Sequence, residues 1–270
     1  MLSLLKIEWL KIKKYSAFWW MLGIVAISYP GINSMFLAIY RELANSKEMA
    51  AQVVKAIIGN PFAFPDAWQS VAYFSSLFVI IPAVLVIMLI NNEYSFKTNR
   101  QNIIDGWNRN QFITSKLIDV AIISVIVTIA YMLVTIGFAT IADNTTFYRW
   151  SENVHYIPLF LLQTFAQLSL AFLAGYFIKK SFLALGTYLF YSLVIENILA
   201  GYLEVKKIII YKYLPFEISD RLIPRPEFKM NLQKIVAEKV NDIPLHIALT
   251  IVLTTIVWII CFKHHQNKDL

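Results

Sequence analysis

The chain has 270 residues, of which 58% are hydrophobic and 15% are charged, and its mean hydropathy is +0.59. This composition excludes a soluble domain with a polar surface and indicates an integral membrane protein. The net charge of +7 comes from Lys and Arg in segments that flank apolar runs, so we expect no nucleic-acid partner. The single cysteine, Cys261, excludes a disulfide framework or a cysteine metal site within the chain.

The first fifteen residues predict an amphipathic helix at the membrane interface. Leu2, Leu5, Trp9 and Ile12 recur at helical spacing on one face, while the lysines lie largely elsewhere. Such a helix buries its apolar side among lipid headgroups, and its lysines meet anionic lipid. An alternative is that the segment is only the charged flank of the first membrane span.

Six apolar runs follow, each close to the ~20 residues that are needed to cross the hydrocarbon core of a membrane. They cover 17–40, 68–90, 117–140, 156–178, 181–203 and 243–262. No linker or repeat divides them, so residues 1–270 are predicted to form one transmembrane domain. Between the fifth and sixth runs, Leu232, Ile235, Val236 and Val240 have helical spacing and predict an outer helical segment.

The distribution of Lys and Arg predicts the orientation. Twelve of them fall before the first span, between spans two and three, between spans four and five, and in the tail, whereas four fall in the two short connections opposite. Because positive charge accumulates in cytoplasmic loops, both termini are predicted to be cytoplasmic. The long segment 204–242 holds eight more, but it also holds six acids, and long translocated loops count less.

The inner stretch Asn91–Lys116 is polar and lies between two apolar runs. Glu93 and Lys97 are spaced i,i+4, and Trp107 and Phe112 are among apolar residues that solvent alone does not favour. This pattern predicts a short helix pressed against a partner. The alternative is a solvated loop whose charges serve only the topology.

The fourth run contains a polar pair and a small-residue pair. Gln163 and Gln167 are spaced i,i+4 on one helix face. The small residues Ala171 and Gly175 follow at the same spacing. Small residues at this spacing permit close approach of a neighbouring helix.

Glu196 is a carboxylate well inside the fifth run, about 10 Å from its outer end at the helical rise. One interpretation is that Glu196, with Asn197 and the glutamines Gln163 and Gln167, lines a wet substrate path. The other is that the helix breaks near Gly201 and leaves the carboxylate solvated at the outer surface.

Motifs of enzymes are absent from the sequence. It contains no G-x-x-x-x-G-K-[ST] loop for binding ATP, no G-x-S-x nucleophile segment and no H-E-x-x-H metal motif. An intramembrane enzyme is therefore disfavoured. A membrane scaffold or immunity protein without a transport cycle stays open as an alternative.

The order of residues in the inner stretch resembles the permeases of the ABC-2 type transporter superfamily. Similar permeases have a Glu at the end of span two, a Gly-Thr pair, a short helix with a Ser-Arg pair, and a Lys that opens span three. Glu93, Thr98, Arg109 and Lys116 match these in type and order, while Lys97 stands where glycine is usual. The basic N-terminal helix, the six spans and the outer segment also resemble this family.

The resemblance implies an all-α membrane protein: six transmembrane helices, an interfacial N-terminal helix, a cytoplasmic coupling helix and an outer helical segment. It implies an exporter permease in the cell (inner) membrane, whose substrate the sequence does not identify. ATP and Mg would bind a separate ATPase subunit, with no cofactor in this chain, and a second permease would complete a homodimer or heterodimer in the lipid. The coupling-helix residues expected to contact the ATPase are Glu93, Thr98, Arg100, Ile103, Ile104, Trp107, Arg109, Phe112 and Lys116.

Overall fold

The computed structural model describes residues 2–45, 60–98, 101, 108–226 and 233–266. Every regular element in this part of the chain is helical, and it contains no strand. The predicted all-α class is confirmed.

The helices are numbered here in chain order. They are α1 (Leu2–Lys14), α2 (Ser16–Asn45), α3 (Ala67–Ser76), α4 (Ile80–Ser95), α5 (Arg109–Ala142), α6 (Tyr156–Ile178), α7 (Ser181–Val205), α8 (Pro215–Asp220) and α9 (Gln233–Gln266). Two short 3-10 segments, Asn144–Arg149 and Ile209–Tyr213, lie in the connections before α6 and α8.

Five helices are long and apolar enough to cross a membrane, namely α2, α5, α6, α7 and the Asp242–Gln266 part of α9. Helices α3 and α4 pass the same test together and meet at a bend of 48°, so the number of crossings is six if this bent pair is one span. Pro82 lies in the first turn of α4, where the missing proline N–H removes no helical hydrogen bond, so the break precedes it. These five helices and the bent pair coincide with the six predicted runs and support a multi-pass membrane protein.

Helix α6 lies at the centre of the bundle and packs against α4, α5 and α9. In its most apolar stretch 56% of residues are buried, against 17% in α7, so α7 lies at the periphery. Aromatic rings fill the contacts of α6: Phe160 stacks on Tyr131 of α5, and Phe172 stacks on Trp258 of α9.

The contact between α4 and α6 depends on Gly175. A Cβ atom at this position would lie 2.6 Å from Ile90 Cγ2 and 3.4 Å from Ile87 Cα. Ala171, one turn earlier, is fully buried. The predicted close approach at these small residues is confirmed.

Only Lys179 and Lys180 separate the predicted runs 156–178 and 181–203, a connection so short that it predicts an antiparallel hairpin, and α6 and α7 form this hairpin. Helix α6 ends at Ile178 and α7 begins at Ser181. Lys179 reverses the chain in the left-handed conformation, with φ of 54°, and its N–H bonds to the Gly175 carbonyl.

Helix α1 packs on the bundle through Glu8 and Ile12, which are buried, whereas Leu5 and Trp9 of the predicted apolar face are 47% and 38% exposed. The burial of Glu8 was not predicted, because sequence spacing does not reveal its buried cationic partner. An interfacial location for the exposed side of α1 stays a prediction.

The two predicted connecting helices have different outcomes. Half of the coupling helix 103–112, residues 103–107, lies outside the described residues, and from Arg109 onward the chain already belongs to α5. The outer segment contains α8, and the residues from Gln233 onward continue into the last span without a break. Helical structure at Ile235, Val236 and Val240 is thus confirmed, while Leu232 lies outside the described residues.

Candidate functional site

A buried cluster of charges joins three helices at the end of the bundle where the inner stretch begins and ends. Lys116, on α5, places its Nζ 3.0 Å from Glu8 Oε2 on α1 and 2.7 Å from Glu93 Oε1 on α4. Asp119, one turn further along α5, places its Oδ2 2.9 Å from the same ammonium. Lys11 supplies a second cation, 2.8 Å from Glu8 Oε1.

The charges in this cluster depend on one another. Lys116 is 4% exposed and Glu8 is 1% exposed, and a buried ion is tolerated only when it is paired. Burial acts to raise the pKa of Glu8, but Lys116 and Lys11 outweigh it and lower this pKa to about 2. Glu8 is therefore ionised near neutral pH, and α1 is tied to α4 and α5.

A second set of contacts joins the start of α5 to the end of α9. The Arg109 guanidinium donates to the Gln266 carbonyl at 2.6 Å, and Gln266 Nε2 donates to Asn110 Oδ1 at 2.8 Å. Phe112 is buried and stacks on the His265 ring, with centroids 5.0 Å apart. The start of the third span and the end of the sixth span are therefore held together.

Local sequence explains where the inner stretch leaves α4 and enters α5. Lys97 adopts φ of 55°, in the left-handed region that favours glycine, which gives a reason for glycine in similar permeases. Thr98 Oγ1 donates to the Glu93 carbonyl at 3.3 Å and closes the end of α4. At the other end, Gln111 Oε1 accepts from the Asn108 N–H at 2.8 Å and satisfies a donor at the start of α5.

The predicted docking residues therefore divide into three groups. Glu93, Phe112 and Lys116 lie within the bundle and contact its own helices, while Thr98 and Arg109 are partly exposed. The remaining four lie outside the described residues: Arg100, Ile103, Ile104 and Trp107. Glu8 and Asp119 complete the cluster and were not predicted. The one sequence signal was the i,i+3 spacing of Lys116 and Asp119.

At the opposite end of the bundle, Glu196 holds the start of α8. Its Oε1 accepts from the backbone N–H groups of Phe216 and Glu217, at 2.7 and 2.8 Å. A carboxylate suits this place because the first N–H groups of a helix have no partner within the helix. Glu196 is 3% exposed and α7 continues to Val205, so the predicted break near Gly201 and the solvated carboxylate are wrong.

A π-helical turn, Tyr191–Ile195, immediately precedes Glu196 in α7. Such turns widen the helix and change the hydrogen bonds of their carbonyl groups. Asn197 Nδ2 donates to the carbonyls of Ser192 and Leu193, at 2.9 and 3.0 Å. Asn197 is exposed, and the contacts of its side chain are with this turn.

Gln163 and Gln167 meet a residue that the sequence did not single out, Asp220 at the end of α8. Both side-chain amides donate to Asp220 Oδ1, at 2.8 and 2.6 Å, and Gln167 also reaches Ser219 Oγ at 3.3 Å. Three of the four predicted path residues thus bind α8, from α6 and from α7. No spacing signal marks Asp220, because its partners lie more than 50 residues away.

A cavity of about 590 Å³ lies beside α8. Its walls include Gln167, Glu196, Asn197 and Asp220, but not Gln163. Asp220 is exposed, and it is one of the residues that line this cavity.

The family described as ABC-2 family transporter protein matches residues 4–195, more than two thirds of the chain. The chain belongs to this family. No curated protein matches the sequence. As an ABC-2 transporter protein, the chain is a membrane permease component of an ABC transporter, and permeases of this family generally work with an ABC ATPase. The inner charge cluster lies within the matched residues of this permease, whereas Glu196 and α8 follow them.

Proposed function

We propose that this ABC-2 permease is the membrane half of an exporter that is driven by a separate ATPase subunit docked on the stretch Asn91–Lys116. ATP and Mg bind that subunit, and this chain supplies the substrate path. The permease lies in the cytoplasmic membrane with both termini in the cytoplasm.

The observation that supports this proposal is the cluster around Lys116. It lies where the inner stretch rejoins the bundle, and its ion pairs connect α1, α4 and α5. A force applied to the stretch by a docked subunit acts directly on the helices of spans two and three. Packed helices joined in this way shift as rigid bodies, which suits a permease that alternates between two arrangements.

The described termini are compatible with this orientation. Helix α1, the ends of the inner stretch and the end of α9 meet at one end of the bundle, through Glu8, Lys116, Phe112 and His265. This is the set of segments in which Lys and Arg accumulate.

We further propose that the working permease is a homodimer or a heterodimer with a similar chain. Helix α7 has a largely exposed apolar surface that includes Phe182, Phe190, Leu193 and Ile198. Either lipid or a second bundle can cover such a surface, so the oligomeric state is decided by a direct measurement. Crosslinking in native membranes that contain the ATPase is expected to give dimers, and exclusively monomeric permease would contradict this part of the proposal.

The docking proposal is tested by copurification. Affinity-tagged permease is isolated from native membranes, and vanadate-sensitive ATP hydrolysis is measured in the eluate. Arg109→Glu and Trp107→Ala are each expected to remove most of this activity, because arginine and tryptophan tend to dominate binding at subunit interfaces.

The matched control is Lys6→Glu, the same change of charge at an exposed residue of α1 outside the inner stretch. It is expected to retain the activity. Undiminished ATP hydrolysis with both Arg109→Glu and Trp107→Ala, at equal amounts of folded permease, would remove the inner stretch from the docking role.

A further inference from the structure

The cavity beside α8 has an excess of negative charge. Five carboxylates and three cationic side chains line it. Two of the cations are already neutralised: Lys212 lies 2.8 Å from Asp242, and Arg221 lies 3.2 Å from Glu217. The third cation, Arg225, and a third acid, Glu204, carry opposite charges that cancel in the total.

Glu196 and Asp220 are the carboxylates that remain. Their hydrogen bonds come from uncharged donors: two backbone N–H groups for Glu196, and two glutamine amides for Asp220. In the described part of the chain, no cationic side chain lies within ion-pair distance of either one. Glu196 is 3% exposed, and a buried carboxylate without a cation costs free energy that an approaching cation recovers.

Two nearly fully buried side chains on the cavity wall also have unsatisfied polar atoms. Glu196 is 3% exposed and His246 is 1% exposed, and both line the cavity. Glu196 Oε2 and His246 Nδ1 make no hydrogen bond with the described residues, although the Tyr191 side chain also acts on the Glu196 carboxylate. Buried polar atoms are satisfied in the great majority of proteins, so these two atoms on the cavity wall are available to a ligand in the cavity.

Part of the remaining wall of the cavity is aromatic. Tyr73, Tyr188 and Phe216 line it, together with Tyr211, whose ring centroid already lies 4.9 Å from the Arg221 guanidinium. The faces of aromatic rings attract cations, and their area favours apolar groups. Its volume, about 590 Å³, is within the range of roughly 300–1,000 Å³ that holds small organic ligands.

We propose that this cavity binds an organic cation, a ligand that carries a positive charge on an apolar body, and that Asp220 and Glu196 receive the charge. Asp220 is the more accessible of the two, because its carboxylate has surface in the cavity while one oxygen of Glu196 is committed to α8. The aromatic wall then packs on the apolar body. This inference names the substrate class of the proposed exporter and rests on that proposal only for the direction of transport.

The test measures binding to the full-length chain in nanodiscs of neutral phosphatidylcholine, without ATPase or nucleotide. The probe is tetraphenylphosphonium, and tetraphenylborate serves as a probe of the same shape and opposite charge. Empty nanodiscs correct for partition of both ions into lipid. The unmodified chain is expected to bind more tetraphenylphosphonium than empty nanodiscs do, and no more tetraphenylborate than they do. This comparison uses only the unmodified chain.

Asp220→Asn tests the residue assignment. The asparagine carbonyl still accepts from Gln163 and Gln167, so α8 keeps its contacts while the charge is lost. Affinity for tetraphenylphosphonium is expected to fall about tenfold to a hundredfold, the range for losing one charged partner. Asp143→Asn is the matched control, since Asp143 lies in the connection between α5 and α6, away from the cavity, and is expected to leave the affinity unchanged.

Equal binding of the cation and the anion to the unmodified chain would overturn the proposal, as would equal affinity of Asp220→Asn and the unmodified chain. If Asp220→Asn is not monodisperse, Glu196→Gln replaces it, with the same expected direction. A failure of the ATPase experiment leaves these outcomes unaffected, because no ATPase is present. The two proposals therefore fail separately.

Discussion

Lys116 Nζ lies 3.0 Å from Glu8 Oε2, although the two residues are 108 positions apart in the sequence. Neither side chain is exposed to solvent by more than a few per cent. The two residues therefore form a buried ion pair. This contact makes the N-terminal helix part of the bundle. It also places the first helix beside the inner stretch that we propose as the ATPase docking segment.

Replacing Lys116 by methionine is expected to destabilise the permease strongly. The change keeps the length of the side chain but leaves Glu8, Glu93 and Asp119 without their shared cation. Breaking a buried ion pair in this way costs roughly 3–5 kcal/mol. Thermal unfolding in detergent is the measurement, and Lys6→Met, at an exposed position of α1, is expected to change the stability by less than about 0.5 kcal/mol. Equal melting temperatures for the two variants would show that the cluster does not stabilise the bundle.

The stabilising effect of Glu8 is expected to depend on pH. Because its pKa falls from 4.5 to about 2 in the folded chain, Glu8 stabilises the fold at pH values above about 4.5. This contribution is lost as the pH falls from 4.5 towards 2, where the folded state also takes up the proton. The melting temperatures of the unmodified chain and of Glu8→Gln are therefore expected to converge over this interval. A difference that stays constant from pH 6 to about pH 3 would contradict the pairing.

Glu196→Ala is expected to release the start of α8. The N–H groups of Phe216 and Glu217 lose their common acceptor, which costs about 1–3 kcal/mol for each buried donor that stays unsatisfied. Hydrogen exchange at these two amides is expected to become faster, while exchange in the centre of α6 stays slow. Glu204→Ala is the control, since Glu204 is exposed on the same helix. Unchanged exchange at both amides in Glu196→Ala would show that Glu196 does not hold α8.

Glycine-to-alanine changes are expected to have opposite effects at two positions. At Gly175 the new Cβ atom would lie 2.6 Å from Ile90 Cγ2, so α4 and α6 must separate, at a cost of about 1–3 kcal/mol. At Gly137, in α5, nothing lies within 4 Å of the new atom. Gly137→Ala is therefore expected to be neutral or to stabilise by up to about 1 kcal/mol. Thermal unfolding of both variants tests this, and an equal loss of stability would contradict the close packing at Gly175.

The sequence determined the spans of this protein, because a helix that crosses lipid must satisfy its own backbone and needs about 20 apolar residues in one run. Local signals were equally informative. Lys179 and Lys180 predicted the hairpin of α6 and α7, and Gly175 predicted a close helix contact. Each of these features depends on residues that are near one another in the chain.

The partners of the charged and polar residues were decided only by the tertiary structure. Lys116 reads from the sequence as an exposed cation of a cytoplasmic segment, and only the packing of α1 and α4 places Glu8 and Glu93 around it. From the sequence, Gln163 and Gln167 form a polar stripe on one face of a span. In the structure both side chains donate hydrogen bonds to Asp220, which follows them by more than 50 residues. Periodicity reports which face of a helix is polar and not which distant group lies against it. The charge cluster and the cavity beside α8 therefore emerge only when helices distant in sequence come together.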